Sequence, residues 1–260
     1  MNEADVGKKV FFLYPPTIIR EIIEEVVREE YEAYILENHL LALKILAKYK
    51  NSILFINIDE ILKDEEWQTY VSSLLSDPET AGTRVGILTY FKKDRQLLEK
   101  YLITIGVQCG FVHIKMSPAE CRQILLKTLA ANEARGRRRF VRALCNEKLD
   151  LFNIIWKEDR FQGSIIDLSI AGMACYFHDK QLRLPEGTTI NNMQLVLLGA
   201  SCILDGKIMK IIPQPNGRNI YIIMFNSRNL KPIIEKKIHS FIFRCLQETI
   251  KTEMDSLDHR

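Results

Sequence analysis

Up to about residue 133 the chain alternates between short, nearly unbroken apolar runs and longer stretches with apolar positions three and four apart. KKVFFLY (8–14), SILFINI (52–58), RVGILTY (84–90) and VQCGFVHI (107–114) are short and rich in aromatic and β-branched residues, the character of buried strands, and Tyr31–Leu36 can form another. Between them TIIREIIEEVVREE (17–30) sets Ile18, Ile22 and Val26 at i, i+4 spacing, which predicts a helix. HLLALKILAKYK (39–50), DEEWQTYVSSLLS (64–76), DRQLLEKYLITIG (94–106) and SPAECRQILLKTLAANEA (117–134) read the same way. Ser117 with Glu120 makes a capping box, Pro118 fits the first helical position, and Gly106 ends the helix before it. Five strand–helix units in this order predict a doubly wound parallel sheet with helices on both faces.

Beyond residue 140 the period shortens. VRALCNEKLDLFNIIW (141–156), FQGSIIDLSIAGMACYF (161–177), LPEGTTI (184–190), MQLVLLGASCIL (193–204), KIMKIIP (207–213) and NIYIIMF (219–225) are punctuated by glycine, proline and asparagine, as short antiparallel strands are. Asp205-Gly206 between apolar runs predicts a two-residue hairpin turn. A closing helix over about 229–251 carries Ile234, Ile238, Phe241, Ile242, Cys245 and Leu246 on one face. Strands of this kind with one covering helix predict a small barrel, closed so that no edge is exposed. The expected domains are 1–134 and 135–260, giving an α/β unit followed by an all-β unit.

Charge sharpens that boundary. The net charge is only +3, but residues 1–133 carry 16 Lys/Arg against 20 Asp/Glu and residues 134–260 carry 20 against 13. The sign changes at RGRRRFVR (135–142), five arginines in eight positions, a run that repels itself unless an anion lies against it. Six cysteines without a C-x-x-C pair read as thiols of a reducing compartment. The five histidines are scattered along the chain, so no metal is expected. There is no charged-then-apolar leader, and no window reaches the ~18 uncharged apolar residues of a spanning helix. A soluble, cytoplasmic protein is expected. No glycine-rich phosphate loop, no nucleophile paired with histidine and no paired carboxylates present themselves, so an enzyme is not expected, and no cofactor is implied.

Two resemblances follow. Residues 8–133 resemble the receiver domain of response regulators in length and element order. That family holds Mg²⁺ with an acidic pair after the first strand and phosphorylates an Asp at the end of the third. Here Tyr14-Pro15-Pro16 stands at the acidic pair and Asn57 at the phosphorylated position, with Thr89 and Lys115 matching the remaining Ser/Thr and Lys. Asp59 is two residues out of register. Without two carboxylates a hard cation lacks its oxygen ligands, and an amide forms no acyl phosphate. A degenerate receiver used for docking or dimerisation is expected, with Thr89 and Lys115 as leftover or structural residues.

In the second half R-x-x-x-R (Arg138 to Arg142) is followed about 25 residues later by D-x-S-x-x-G (Asp167, Ser169, Gly172). The pair, in this order on a small barrel, resembles the signature of PilZ domains, which bind the bacterial second messenger cyclic di-GMP. Taken singly, an Asp-x-Ser is usually an Asx or Ser turn; turn chemistry does not predict the two motifs together. Arginine's planar fork suits both phosphate oxygens and the O6/N7 edge of guanine. Asp167 can accept from the guanine N1–H and N2–H₂, Ser169 can donate to phosphate or orient the loop, and Gly172 permits close backbone approach or a left-handed turn. Arg137 and Arg139 are extra guanidinium groups, and Arg137 favours a stacked pair of ligands over one. The resemblance implies a messenger sensor that signals to a downstream protein by reorienting its domains. The competing readings are a nucleic-acid-binding regulator, built as many receiver-plus-output proteins are, and a PilZ-type adaptor that has lost its ligand. Against the first, no helix-turn-helix pattern follows residue 140; against the second, the arginines are kept.

Overall fold

The computed structural model describes residues 7–90, 95–136, 139–179, 181–227 and 230–258. Packing divides the chain into two units, residues 1–139 with 247–260, and residues 140–246.

The first unit is a parallel sheet of β1 (Val10–Leu13), β2 (Ala33–Leu36), β3 (Ile53–Asn57), β4 (Arg84–Thr89) and β5 (Phe111–His113) in the order β2-β1-β3-β4-β5. This is the receiver-like topology. Every residue of β1 and β3 is buried, because helices cover both faces, and continuous apolar runs result in place of alternation. The helices are α1 (Thr17–Arg28), α2 (His39–Lys48), α3 (Asp64–Ser76), α4 (Arg95–Glu99) and α5 (Pro118–Ala131). The capping box at Ser117 and Glu120 forms as the sequence predicts. The stretch 94–106 does not stay α-helical: Lys100–Ile105 is a π-helical turn ended by Gly106 in the left-handed region. That turn buries Tyr101, which meets the Phe111 ring edge-on at 5.8 Å, and leaves Leu102 and Ile103 exposed.

At the carboxyl ends of β1, β3 and β4 the polar groups bond to one another. Asn57 is fully buried; its amide donates to the Tyr14 carbonyl (3.0 Å) and its oxygen accepts from the Asp59 N–H (3.2 Å). Asp59 reaches Thr89 despite its offset. Its Oδ1 accepts from the Thr89 hydroxyl at 2.8 Å, and its Oδ2 accepts from the Tyr90 N–H. Thr89 is therefore no leftover but the donor that holds Asp59. Beside them the Tyr14 hydroxyl accepts from the His39 N–H and bonds His39 Nδ1 (3.0 Å), and Trp67 and Tyr70 pack edge-on around that imidazole.

The second unit is a closed six-stranded antiparallel barrel. Its strands are β7 (Leu151–Trp156), β8 (Asp159–Ser169), β9 (Gly172–Phe177), β10 (Thr189–Leu197), β11 (Ala200–Pro213) and β12 (Asn219–Phe225). The circuit runs β8-β7-β10-β11-β12-β9 and closes where β9 pairs β8. A two-residue strand, β6 (Ala143–Leu144), pairs β8 at Leu168 and Asp167.

The hairpin expected at Asp205-Gly206 does not form. Both residues lie inside β11, which pairs β10 and β12 in turn, and the turn falls at Leu198-Gly199, both with positive φ (47° and 80°). Gly206 is needed for closeness instead: a Cβ there would lie 2.7 Å from Ile223 Cγ2.

The last helix, α6 (Pro232–Asp258), runs two turns past residue 251. It buries Ile238, Phe241, Ile242, Cys245 and Leu246 in its first part. From Gln247 onward its residues count with the first unit. There Gln247 accepts from the Ile35 N–H (2.9 Å) and donates to the Ala33 carbonyl (3.0 Å), and Glu253 accepts from the Tyr49 hydroxyl (2.6 Å) and Lys48 (2.9 Å). Longer reach follows from these polar anchors, which an apolar-face reading does not register.

Candidate ligand-binding site

Four of the residues singled out in the sequence lie in the barrel unit: Arg142, Asp167, Ser169 and Gly172. Arg137 and Arg138 lie outside the described residues, and Arg139 stands at the end of the first unit. Arg135, the first arginine of the run, is engaged within the first unit, donating to the Glu29 carbonyl (2.9 Å) with its guanidinium 4.9 Å from the Tyr31 ring centroid.

D-x-S-x-x-G does not lie along one strand. It spans the tight β8–β9 hairpin, with Ser169 paired to Gly172 across the Ile170-Ala171 turn. The Ser169 hydroxyl donates to the Gly172 carbonyl at 3.1 Å and is 4% exposed, so it fastens the turn. Gly172 has no positive φ; it is pressed against β12, where a Cβ would come within 2.3 Å of the Ile223 carbonyl oxygen. Close approach is what the glycine supplies.

A register shift between Ile165 and Asp167 resets the pleat, pairing Asp167 with Ala174. Leu168 then points into the core, fully buried, while the Asp167 side chain keeps 24% of its surface. β6 lies alongside, and Arg142, one residue before it, brings Nη1 to 3.6 Å from Asp167 Oδ1. The Arg142 side chain is 49% exposed, so water screens this pair and it is worth about 1 kcal/mol or less. It opens at small cost.

Negative charge from Asp167 also acts on two cysteines. Burial pushes the thiols of Cys145 and Cys175 well above their usual range; Cys245, then Asp150 and Asp167, add to it at Cys145, and Asp167 adds to it at Cys175. Both are held as neutral thiols. Among the described residues no three His, Cys, Asp or Glu side chains cluster as metal ligands would, and no helix is long and apolar enough to cross a membrane.

Two features near the motif are not signalled by it. Asp150 is a buried carboxylate whose oxygens accept from the Asn146 N–H (2.8 Å) and the Leu198 N–H (3.1 Å), tying the loop between β6 and β7 to the β10–β11 turn. Tyr176, two residues beyond Ala174 on the Asp167 face of β9, carries the Arg218 guanidinium 4.2 Å above its ring. A lone aspartate between apolar runs gives no warning of the first, and the second joins residues 42 positions apart.

No protein-family model matches the sequence, and no curated protein matches it. Solved structures do. The PilZ domain with c-di-GMP of YcgR from Escherichia coli aligns at 16% identity over 45% of this chain and 97% of that one, TM-score 0.39. MrkH, described as a c-di-GMP-dependent transcription regulatory factor, aligns at 16% identity over 43% of this chain and 52% of its own, TM-score 0.34. The chain thus spans about half of MrkH. The chemotaxis response regulator CheY4 of Vibrio cholerae aligns at 17% identity over 49% of this chain and 99% of its own, TM-score 0.37.

Proposed function

We propose that this chain is a cyclic di-GMP effector whose ligand is gripped between the R-x-x-x-R segment and the β8–β9 hairpin. The observation that carries the reading is Arg142 facing Asp167 across the β6–β8 pairing, two motif halves about 25 residues apart in sequence and 3.6 Å apart in space. A weak, water-screened ion pair suits a site that must open: a phosphodiester offers the guanidinium a better partner, and a guanine N1–H and N2–H₂ edge offers the carboxylate one. In this reading Arg138 and Arg142 take phosphate oxygens or the guanine O6/N7 edge, and Asp167 takes the opposite guanine edge. Ser169 and Gly172 hold the hairpin that presents it. Arg139 supplements the phosphate field, Arg137 favours a stacked ligand pair, and the Tyr176–Arg218 stack offers a further flat surface.

The signal is carried by shape to a downstream protein in the cytoplasm. Each charge-assisted hydrogen bond is worth about 1.5–3 kcal/mol, so two or three made only in the liganded form supply the ~5.5 kcal/mol of a full two-state switch. Scattering profiles recorded with and without ligand test that: superimposable curves would remove domain reorientation from the proposal.

The binding reading is tested by calorimetry with cyclic di-GMP beside GTP and cyclic AMP. Saturable binding of the cyclic dinucleotide alone is expected; equal binding of GTP, or no binding of any, would overturn it. A plain 1:1 stoichiometry would remove the stacked pair. Raising salt from 50 to 200 mM separates this ligand from duplex DNA, whose binding through six to ten phosphates falls by roughly 10³–10⁵ over that range.

A further inference from the structure

The barrel unit holds a concavity that shares no residue with the proposed messenger motif. It is a cleft of about 290 Å³ between the end of the β10–β11 hairpin and α6. Leu197, Cys202 and Phe241 line it, all buried, and Ile233 stands beside it 64% exposed. Lys236, Lys237 and Arg244 line it too. Residues 233, 237, 240 and 244 fall on one stripe of the helix, so the cations and Ser240 face the hairpin together.

Among the described residues nothing neutralises these charges. Lys237 donates to the Ser201 carbonyl (3.1 Å), which ties helix to hairpin but leaves its charge unbalanced. Among the described residues no ion pair reaches Lys236, Lys237 or Arg244. Burial raises the Cys202 thiol and the charge of Lys237 pulls it back, so the cationic field extends to the wall. The hairpin is held firmly for its part, because Asp150 accepts from the Leu198 N–H and fixes a turn in which a leucine adopts positive φ.

An apolar floor under a ring of uncompensated cations selects a ligand with the opposite arrangement. We infer that this cleft binds a small single-tailed amphiphilic anion, with its alkyl body on Leu197, Cys202 and Phe241 and its carboxylate or phosphate among Lys236, Lys237 and Arg244. The volume sets the size. It lies at the lower bound of pockets for drug-sized ligands, about 300 Å³, so a single medium-length chain fits and a two-tailed bilayer lipid does not. This site is independent of the proposed messenger site.

The test is calorimetry on the full chain with decanoate, decyl phosphate and decanol, all below micelle-forming concentrations. Both anions are expected to bind saturably, with decanol at least tenfold weaker. Lys236→Glu with Arg244→Glu should weaken decanoate at least tenfold and leave decanol unchanged. Ala200→Trp, which fills the cleft from the exposed hairpin side, should abolish binding of all three. Cyclic di-GMP titrations of the same variants should match the parent chain, and they report folding as well. Decanoate affinity unchanged in both variants, or no saturable binding at millimolar concentration, would overturn the inference. So would binding of an acidic leucine–glutamate peptide by a chain that ignores decanoate, because the cleft would then be a protein-docking surface.

Discussion

Arg142 Nη1 and Asp167 Oδ1 stand 3.6 Å apart, close enough to attract and too far for a firm hydrogen bond. Both are partly open to water, and each is supported by backbone whose place is fixed by β6 and β8 pairing. Removing one should disturb the fold little and the ligand much. Arg142→Ala and Arg138→Ala are each expected to weaken cyclic di-GMP binding at least tenfold, about 1.4 kcal/mol, with an unchanged melting temperature. Calorimetry with circular dichroism checks both, and undiminished affinity in either variant would mean the site is misplaced.

Gly172 makes the opposite kind of prediction. The 2.3 Å approach to the Ile223 carbonyl oxygen involves backbone, which cannot swing aside as a side chain would. Gly172→Ala should force β9 away from β12 and destabilise the barrel by about 1–3 kcal/mol, the usual range for overpacking. Ligand affinity would fall with it. A chemical denaturation midpoint equal to that of the parent would contradict the packing.

For Asp150 the effect should spread over two turns. Asp150→Ala removes the acceptor of the Asn146 and Leu198 N–H groups, which are only partly shielded from water, a loss of about 0.5–1.5 kcal/mol for each hydrogen bond. Asp150→Asn keeps one acceptor oxygen and should lie between. Urea denaturation of the three proteins gives the order; an alanine variant as stable as the asparagine one would remove the assigned role.

Asp59 already uses both carboxylate oxygens, one for Thr89 and one for the Tyr90 N–H. Incubation with a small phospho-donor and Mg²⁺ should leave no acid-labile phosphate on it. Thr89→Ala is expected to lower stability by about 1 kcal/mol without creating a phosphorylation site. Labelled Asp59 in either protein would restore phosphotransfer to the first unit.

The parallel sheet was legible because its strands are buried on both faces. Val10–Leu13 and Ile53–Asn57 are unbroken in sequence for the same reason that they are covered in space. The D-x-S-x-x-G stretch can be picked out in the sequence, but its geometry cannot. Asp167, Ser169 and Gly172 straddle a turn that the apolar run 161–177 conceals, since Ile170-Ala171 carries none of the usual turn residues. Asp205-Gly206 misled for the converse reason. Its chemistry permits a tight turn, yet the glycine there serves close packing on Ile223, while Leu198 accepts a left-handed conformation because Asp150, 48 positions away, bonds its N–H. Local preference lost to support from a distant carboxylate. The engagement of Thr89 by Asp59 was hidden likewise, because a register offset of two residues along a strand end leaves the side chain within reach.

The amide of Gln247 acts on β2 as a strand residue would, offering an acceptor to Ile35 and a donor to Ala33 along the free margin of the sheet. A margin left open invites another chain to lie down on it. Dissecting this protein with a single cut near residue 135 would carry that amide off with the barrel and leave a sticky sheet behind. A soluble version of the first unit therefore requires residues 247–258 to be supplied again, as a fused tail or an added peptide.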